Sequence, residues 1–135
     1  MKKIQWNDDL SINLEPIDIQ HQKWIEHYNE VVEAIESNKD KAHIAKTLGF
    51  LSDYTNTHFA AEENYMGKNQ YPELREHKAK HEALRQTVAD LIQDFDEEGV
   101  TSALADAIET LLGNWLIQHI QQVDQLFGKF MQENK

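Results

Sequence analysis

The most informative stretch of this sequence is His77-Lys78-Ala79-Lys80-His81. Two histidines four residues apart lie on one face of an α-helix, one turn above the other. Apolar residues recur at three- and four-residue steps from Leu74 to Phe95, so the stretch belongs to a long amphipathic helix. A histidine pair of this kind also occurs on solvated helix faces, so further evidence is needed to define a site.

That evidence lies in three other segments of the chain. His58 and Glu62 repeat the four-residue step with a carboxylate in the second position. Farther on, His119 and Asp124 add an imidazole and a second carboxylate, and His21 supplies a fifth histidine. Imidazole and carboxylate groups are common ligands of transition metals. We therefore predict that these five histidines and two carboxylates form one buried metal site.

The apolar periodicity predicts an all-α protein. Two prolines and five glycines leave long uninterrupted segments, which favours helices over a many-turned β fold. Four long amphipathic helices with short connections predict an up-down-up-down antiparallel four-helix bundle. We expect a single domain over residues 1–135, with an N-terminal arm at 1–16 and helices at about 19–37, 41–66, 72–96 and 102–131.

Local signals suggest where these helices begin and end. Asp18 and Asp40 are candidate N-caps of the first and second helices. Gly67 stands where the C-terminal cap of the second helix is expected, and Pro72 fits the first turn of the third. With alternating helix directions, these bounds bring all seven candidate ligands to a similar height at one end of the bundle.

One spacing does not fit an ideal helix. His119 and Asp124 are five residues apart, which corresponds to about 140° around the helix axis. Side chains so placed face different directions unless the helix is locally widened. We therefore predict a π-bulge, or another irregularity, between these two residues.

The composition excludes several classes of function. The formal net charge is -11, which disfavours nucleic acid and anionic membranes as partners. The chain has no cysteine, so it has no disulfide and no thiolate site. It also shows no signal-peptide core and no apolar run near the ~20 residues needed to span a bilayer. We expect a soluble, cytoplasmic protein.

Seven ligands exceed the needs of one tetrahedral ion. Two ions that share Glu62 and Asp124 as bridges would use every ligand, with three histidines on one ion and two on the other. A solvent-derived oxo or hydroxo bridge then leaves one ion with an open coordination position. Iron is expected, because a ferrous pair can deliver two electrons to dioxygen. The histidine-rich donor set favours reversible binding over oxidation of a substrate. We expect Glu63 to be an acid beside the site rather than a ligand.

Four runs of sequence resemble the hemerythrins, most closely the single-domain bacterial members. They are Ile17-Asp18-Ile19-Gln20-His21, His58-Phe59-Ala60-Ala61-Glu62-Glu63, His77-x-x-x-His81 and Trp115-Leu116-x-x-His119-Ile120-x-x-x-Asp124. The resemblance covers essentially the whole chain. It implies that His77, His81 and His119 hold a six-coordinate iron, and that His21 and His58 hold the iron with the open position. It also implies an apolar oxygen pocket of Phe59, Trp115, Leu116 and Ile120.

The function implied by this resemblance is reversible dioxygen binding for storage, delivery or local sensing. We expect a monomer, and the sequence leaves open whether it also binds a separate protein partner. One alternative is a di-iron enzyme that acts on peroxide or nitric oxide. Another is an iron-holding protein in which oxygen chemistry is incidental.

Overall fold

The computed structural model describes residues 1–134 and has four helical rods, as the sequence predicts. A short 3-10 turn at Asp8–Leu10 precedes α1 (Glu15–Glu36), α2 (Lys41–Lys68) and α3 (Leu74–Glu98). The first three rods pack against their neighbours in chain order, and the last rod packs against α3. The structure confirms the all-α four-helix bundle. None of the helices in residues 1–134 is long and apolar enough to cross a membrane.

The fourth rod is one continuous run of five helical pieces. They are α4 (Ser102–Ala107), a π-helical segment (Ile108–Asn114), α5 (Trp115–Gln118), a second π-helical segment (His119–Asp124) and α6 (Gln125–Glu133). The second π segment confirms the predicted irregularity between His119 and Asp124. The first π segment was not predicted, since its apolar spacing also fits an α-helix.

The start of α1 differs from the prediction. The helix begins at Glu15 rather than at residue 19, with Pro16 in its first turn, where a missing N–H costs nothing. Asp18 is therefore inside the helix and is not its N-cap. Its carboxylate instead turns back onto the arm, where it accepts hydrogen bonds from the backbone N–H of Ile12 (2.9 Å) and the hydroxyl of Ser11 (2.5 Å).

The connection between α2 and α3 also corrects the prediction, whereas the start of α2 agrees with it. Asp40 caps α2 by accepting a hydrogen bond from the backbone N–H of His43 (2.8 Å). Gly67 is not the cap, because α2 continues through Lys68 and the chain reverses at Gln70, whose φ is 55°. Pro72 lies in the turn before α3, not within it.

The N-terminal arm is packed into the bundle rather than laid loosely over it. Leu10 and Ile12 are fully buried, and Ile4 exchanges two hydrogen bonds with the Asn29 side chain (2.8 and 2.7 Å). Gly128 on α6 allows this approach, because a Cβ there would lie 2.2 Å from the carbonyl oxygen of Ile12. The arm thereby ties the start of α1 to the end of the fourth rod, close to Asp124.

Candidate metal centre

All four rods contribute to one buried cluster of histidines and carboxylates. The seven side chains predicted as ligands meet there, and each is at most 4 % exposed. Helix α1 supplies one of them, α2 and α3 supply two each, and the second π segment supplies the last two. In that order they are His21; His58 and Glu62; His77 and His81; His119 and Asp124.

Glu62 divides its two carboxylate oxygens between two sets of histidines. Its Oε1 lies 2.8 Å from Nε2 of His77 and 3.2 Å from Nε2 of His81. Its Oε2 lies 3.5 Å from Nε2 of His21 and 3.4 Å from Nε2 of His58. One carboxylate therefore faces two separate groups of imidazole nitrogens.

Asp124 divides its oxygens in the same way. Its Oδ1 lies 2.9 Å from Nε2 of His77 and 3.2 Å from Nε2 of His119. Its Oδ2 lies 3.0 Å from Nε2 of His21. Each carboxylate thus offers one oxygen to a group of three histidines and the other oxygen to a group of two.

Two sets of donor atoms result, and within each set all the atoms lie within 4.8 Å of one another. Both sets contain the two carboxylates. The first adds three histidines and the second adds two; they are Glu62, His77, His81, His119 and Asp124, and His21, His58, Glu62 and Asp124. This is the division that bridging carboxylates need in order to span two ions.

The hydrogen bonding of the buried donor atoms also indicates that they could bind metal ions. Four of the five inward-facing Nε2 atoms, one oxygen of Glu62 and both oxygens of Asp124 are buried without a hydrogen-bond partner. Buried polar atoms are ordinarily paired, and each of these seven lies 3.0–3.5 Å from another donor atom of the cluster without forming a hydrogen bond of good geometry, which suits atoms that share a metal partner. Imidazole nitrogen and carboxylate oxygen together suit iron, zinc, copper or nickel. The residues present therefore fit a pair of such ions.

The helix of the fourth rod is locally widened to complete the cluster. A π segment inserts one extra residue per turn through i→i+5 bonding, so residues five apart come close to one face. His119 and Asp124 are the first and last residues of such a segment. The irregularity is thus located where the sequence spacing requires it.

Two further side chains hold the outer nitrogens of the histidine rings. Gln20 Oε1 lies 2.8 Å from Nδ1 of His58, and Glu63 Oε2 lies 2.8 Å from Nδ1 of His81. Each acceptor fixes a ring with N–H on Nδ1 and the lone pair of Nε2 directed at the cluster. The prediction for Glu63 agrees with this contact, whereas the contact of Gln20 with His58 was not predicted. The position of Gln20 next to His21 was the available signal.

The two carboxylates raise the pKa of two of the histidines. Burial alone lowers the pKa of His21 and of His77, but hydrogen bonds and charge attraction from Asp124 and Glu62 outweigh it and raise each pKa to about 9. Burial prevails at His58, whose pKa is lowered. Although burial opposes it, the surrounding histidines lower the pKa of both Glu62 and Asp124. Without metal, two protonated imidazoles therefore balance two carboxylates at neutral pH.

Aromatic and aliphatic side chains enclose the imidazoles. The ring of Phe59 stacks on His81 with centroids 3.7 Å apart, and Trp115 stacks on His119 at 4.3 Å. Of the residues predicted to form an oxygen pocket, Phe59, Leu116 and Ile120 are buried and Trp115 is only half-buried.

A small internal cavity lies farther along the bundle axis. Only one of the four predicted pocket residues lines it, which is Leu116. The other lining residues belong to all four rods and are Trp24, Tyr28, Leu51, Thr55, Leu84, Val88 and Leu112. This cavity was not predicted, because its lining residues are read in the sequence simply as core.

The fold and the site together define a class of protein, a four-helix bundle whose rods supply five histidines and two shared carboxylates that could hold metal ions. Residues 13–130 match the family model described as "Hemerythrin HHE cation binding domain". The match covers most of the chain, and the protein therefore belongs to the hemerythrin family.

Individual relatives agree with this assignment. The chain is 33% identical over 128 residues to the bacteriohemerythrin of Stenotrophomonas maltophilia (strain R551-3), covering 95% of this chain and 81% of that protein. It is 34% identical over 124 residues to the bacteriohemerythrin of Pseudomonas aeruginosa (strain LESB58), covering 92% of this chain and 78% of the relative. Its fold resembles the crystal structure of a hemerythrin with a leucine-to-tyrosine substitution, with a TM-score of 0.85, 28% identity, and coverage of 96% and 97% of the two chains.

Proposed function

We propose that this protein binds dioxygen reversibly at a pair of iron ions. The observation that carries the proposal is that each carboxylate directs one oxygen to the group of three histidines and the other oxygen to the group of two. His77, His81 and His119 hold one ion, and His21 and His58 hold the other. Glu62 and Asp124 would hold both ions, with an oxo or hydroxo group from solvent as the remaining bridge.

A small ligand binds to the ion that the group of two histidines holds. This group supplies one donor fewer than the group of three, so its ion retains an open coordination position. When bound, ferrous ions supply the two electrons and the vacant position that dioxygen needs. The protein side chains hold the imidazoles in place, with Gln20 fixing the His58 ring from behind at 2.8 Å.

The surrounding residues favour binding over turnover. Phe59, Leu116 and Ile120 are buried and apolar, so they exclude water and offer no proton to a bound ligand. A donor set with five neutral imidazoles also carries less negative charge than one dominated by carboxylates. Relatives over most of the chain carry the name bacteriohemerythrin, which supports the same assignment. Oxygen storage, delivery or local sensing are the uses that such binding serves.

Dioxygen cycling tests this function. Iron-loaded protein is reduced anaerobically and titrated with dioxygen while the visible absorption is recorded, and dioxygen is then removed. We expect a band that appears and disappears over repeated cycles with one dioxygen bound per two irons. Steady consumption of reductant with peroxide or nitric oxide, without a reversible band, would instead assign an enzyme.

A further inference from the structure

Two histidines of the cluster, His58 and His81, have outer hydrogen-bond partners that differ in charge. His58 faces the neutral amide oxygen of Gln20, whereas His81 faces the carboxylate of Glu63, both at 2.8 Å. A carboxylate that accepts the Nδ1 proton makes the ring a stronger electron donor through Nε2. The group of three histidines therefore contains one ligand with added negative charge, and the group of two has no such acceptor on His58.

Glu63 is in turn opposed by a cation. Nη2 of Arg85 lies 3.6 Å from the same Oε2 atom that accepts from His81. The side chain of Glu63 is 16 % exposed and that of Arg85 is 25 % exposed, so both groups are partly shielded from solvent. Because the pair is not fully screened by water, each charge acts on the ring of His81.

Several contacts hold the guanidinium of Arg85 in this position. Its Nη1 donates to Glu82 Oε2 (3.0 Å), and its Nε donates to Asn56 Oδ1 (3.2 Å). The guanidinium also lies over the ring of Phe59, 5.3 Å from its centroid, and Phe59 stacks on His81. Arg85 thus adjoins the ligand both through Glu63 and through the aromatic ring.

We propose that Glu63 and Arg85 set the reduction potential of the ion held by His81, with opposite signs. The Glu63 charge strengthens the His81 donor and stabilises the ferric state, which lowers the potential. The Arg85 charge offsets Glu63 and raises the potential. Both are positioning residues, since neither contacts the ion. The inference rests on the di-iron function proposed above, and it adds a control on how readily the pair is reduced.

Three variants that each remove one charge test the proposal. Glu63→Gln keeps an acceptor for the His81 ring but removes the charge, and Arg85→Gln removes the opposing charge. The matched control is Asp53→Asn, which removes the same charge as Glu63→Gln from an exposed side chain ten residues earlier on α2. Reduction potentials and iron content are measured on the iron-loaded proteins.

We expect Glu63→Gln to favour reduction about tenfold, which is a rise of about 59 mV for a one-electron step. Arg85→Gln should shift the potential the opposite way, and Asp53→Asn should change the ease of reduction less than threefold. Structural damage gives no reason for shifts of opposite sign. Equal shifts in Glu63→Gln and Asp53→Asn, or shifts of the same sign in Glu63→Gln and Arg85→Gln, would overturn the proposal.

A measurement on metal-free protein separates this proposal from the di-iron function. Nitrogen-15 NMR of the histidine rings should show His81 with its proton on Nδ1, at low field because the acceptor is charged. Glu63→Gln should move this proton to higher field, and Asp53→Asn should leave it in place. An Nε2–H form of His81 in the wild-type protein overturns the role of Glu63 even if iron binds. Failure to bind two irons with the NMR result intact rejects only the di-iron function.

Discussion

Nε2 of His119 lies 3.2 Å from Oδ1 of Asp124 although the two residues are five apart in the sequence. On a regular α-helix they would face directions about 140° apart. The π segment between them removes this difference, so the helix is widened at the point where these two predicted ligands converge. The local widening of the backbone and the convergence of these two side chains are therefore one structural feature.

The carboxylates should be essential for holding the ions. Glu62→Ala or Asp124→Ala removes the atom pair that spans the two histidine groups, so we predict fewer than two irons per chain by metal analysis. Metal-free protein should also lose about 3–5 kcal/mol of stability, because protonated His21 and His77 lose a buried partner. Asp53→Asn, on the exposed face of the same helix as Glu62, is the control and should retain both irons. Unchanged iron content in the alanine variants would reject the bridging role.

The metal-free protein should become less stable as the pH rises. His21 and His77 have folded-state pKa values of about 9 against an ordinary value of 6.5, so their contribution is complete below pH 6.5 and is lost as the pH passes 9. We predict a fall in the melting temperature over that range, with a loss on the order of 3 kcal/mol per histidine.

Metal-loaded protein is the comparison for this pH effect. Its histidines are already deprotonated by coordination, so its melting temperature should change little between pH 6.5 and 9. Below pH 4.5 the metal-free protein should instead lose stability as the pH falls, because Glu62 and Asp124 have lowered pKa values and their contribution to stability is lost on protonation. A metal-free melting curve that is flat from pH 6.5 to 9 would contradict the charge balance described for the cluster.

Leu116 should protect the site from water. It is buried and lines the small cavity farther along the bundle axis, and in the proposed oxygen pocket it also adjoins the bound ligand, so Leu116→Ala should open space there. We predict faster decay of the dioxygen-dependent absorption band, together with a loss of about 2–5 kcal/mol of stability. Leu91→Ala makes the same truncation in the core about 15 Å along α3 from His81 and is the matched control. Equal decay rates in the two variants would remove Leu116 from the pocket.

Gly128 should be required for the arm to dock. A Cβ at this position would lie 2.2 Å from the backbone oxygen of Ile12, and backbone cannot move aside as a flexible side chain can. We predict that Gly128→Ala lowers the free energy of unfolding by about 1–3 kcal/mol, measured by thermal denaturation. Gly49→Ala, in a helix with nothing within 4 Å of the added Cβ, should instead stabilise by about 0.5–1 kcal/mol. Equal effects from both substitutions would mean that the arm is not held there.

The sequence predicts the bundle well because its signals are periodic. Histidine and carboxylate steps of four residues identify one face of α2 and α3, and the five-residue step from His119 to Asp124 predicts its own π segment. Contacts between distant segments are different in kind. The hydrogen bond from His58 to Gln20 joins residues 38 positions apart, and the position of Gln20 next to His21 does not identify His58 as its partner.

Capping residues show a similar limit. Asp18 has the chemistry of an N-cap, but the arm supplies it with better partners at Ser11 and Ile12, so α1 begins earlier. Gln70 takes the left-handed conformation that a glycine at position 67 was expected to provide. At Asp18, contacts with the arm determine which of two chemically reasonable options is realised, whereas at Gln70 the turn is closed by local backbone hydrogen bonds.

Anomalous diffraction at the iron edge from crystals of the iron-loaded protein tests the central claim most directly. The account predicts two peaks per chain, one among His77, His81 and His119 and the other beside His21 and His58, with Glu62 and Asp124 between them. A single peak, or two peaks that do not share these carboxylates, would contradict it.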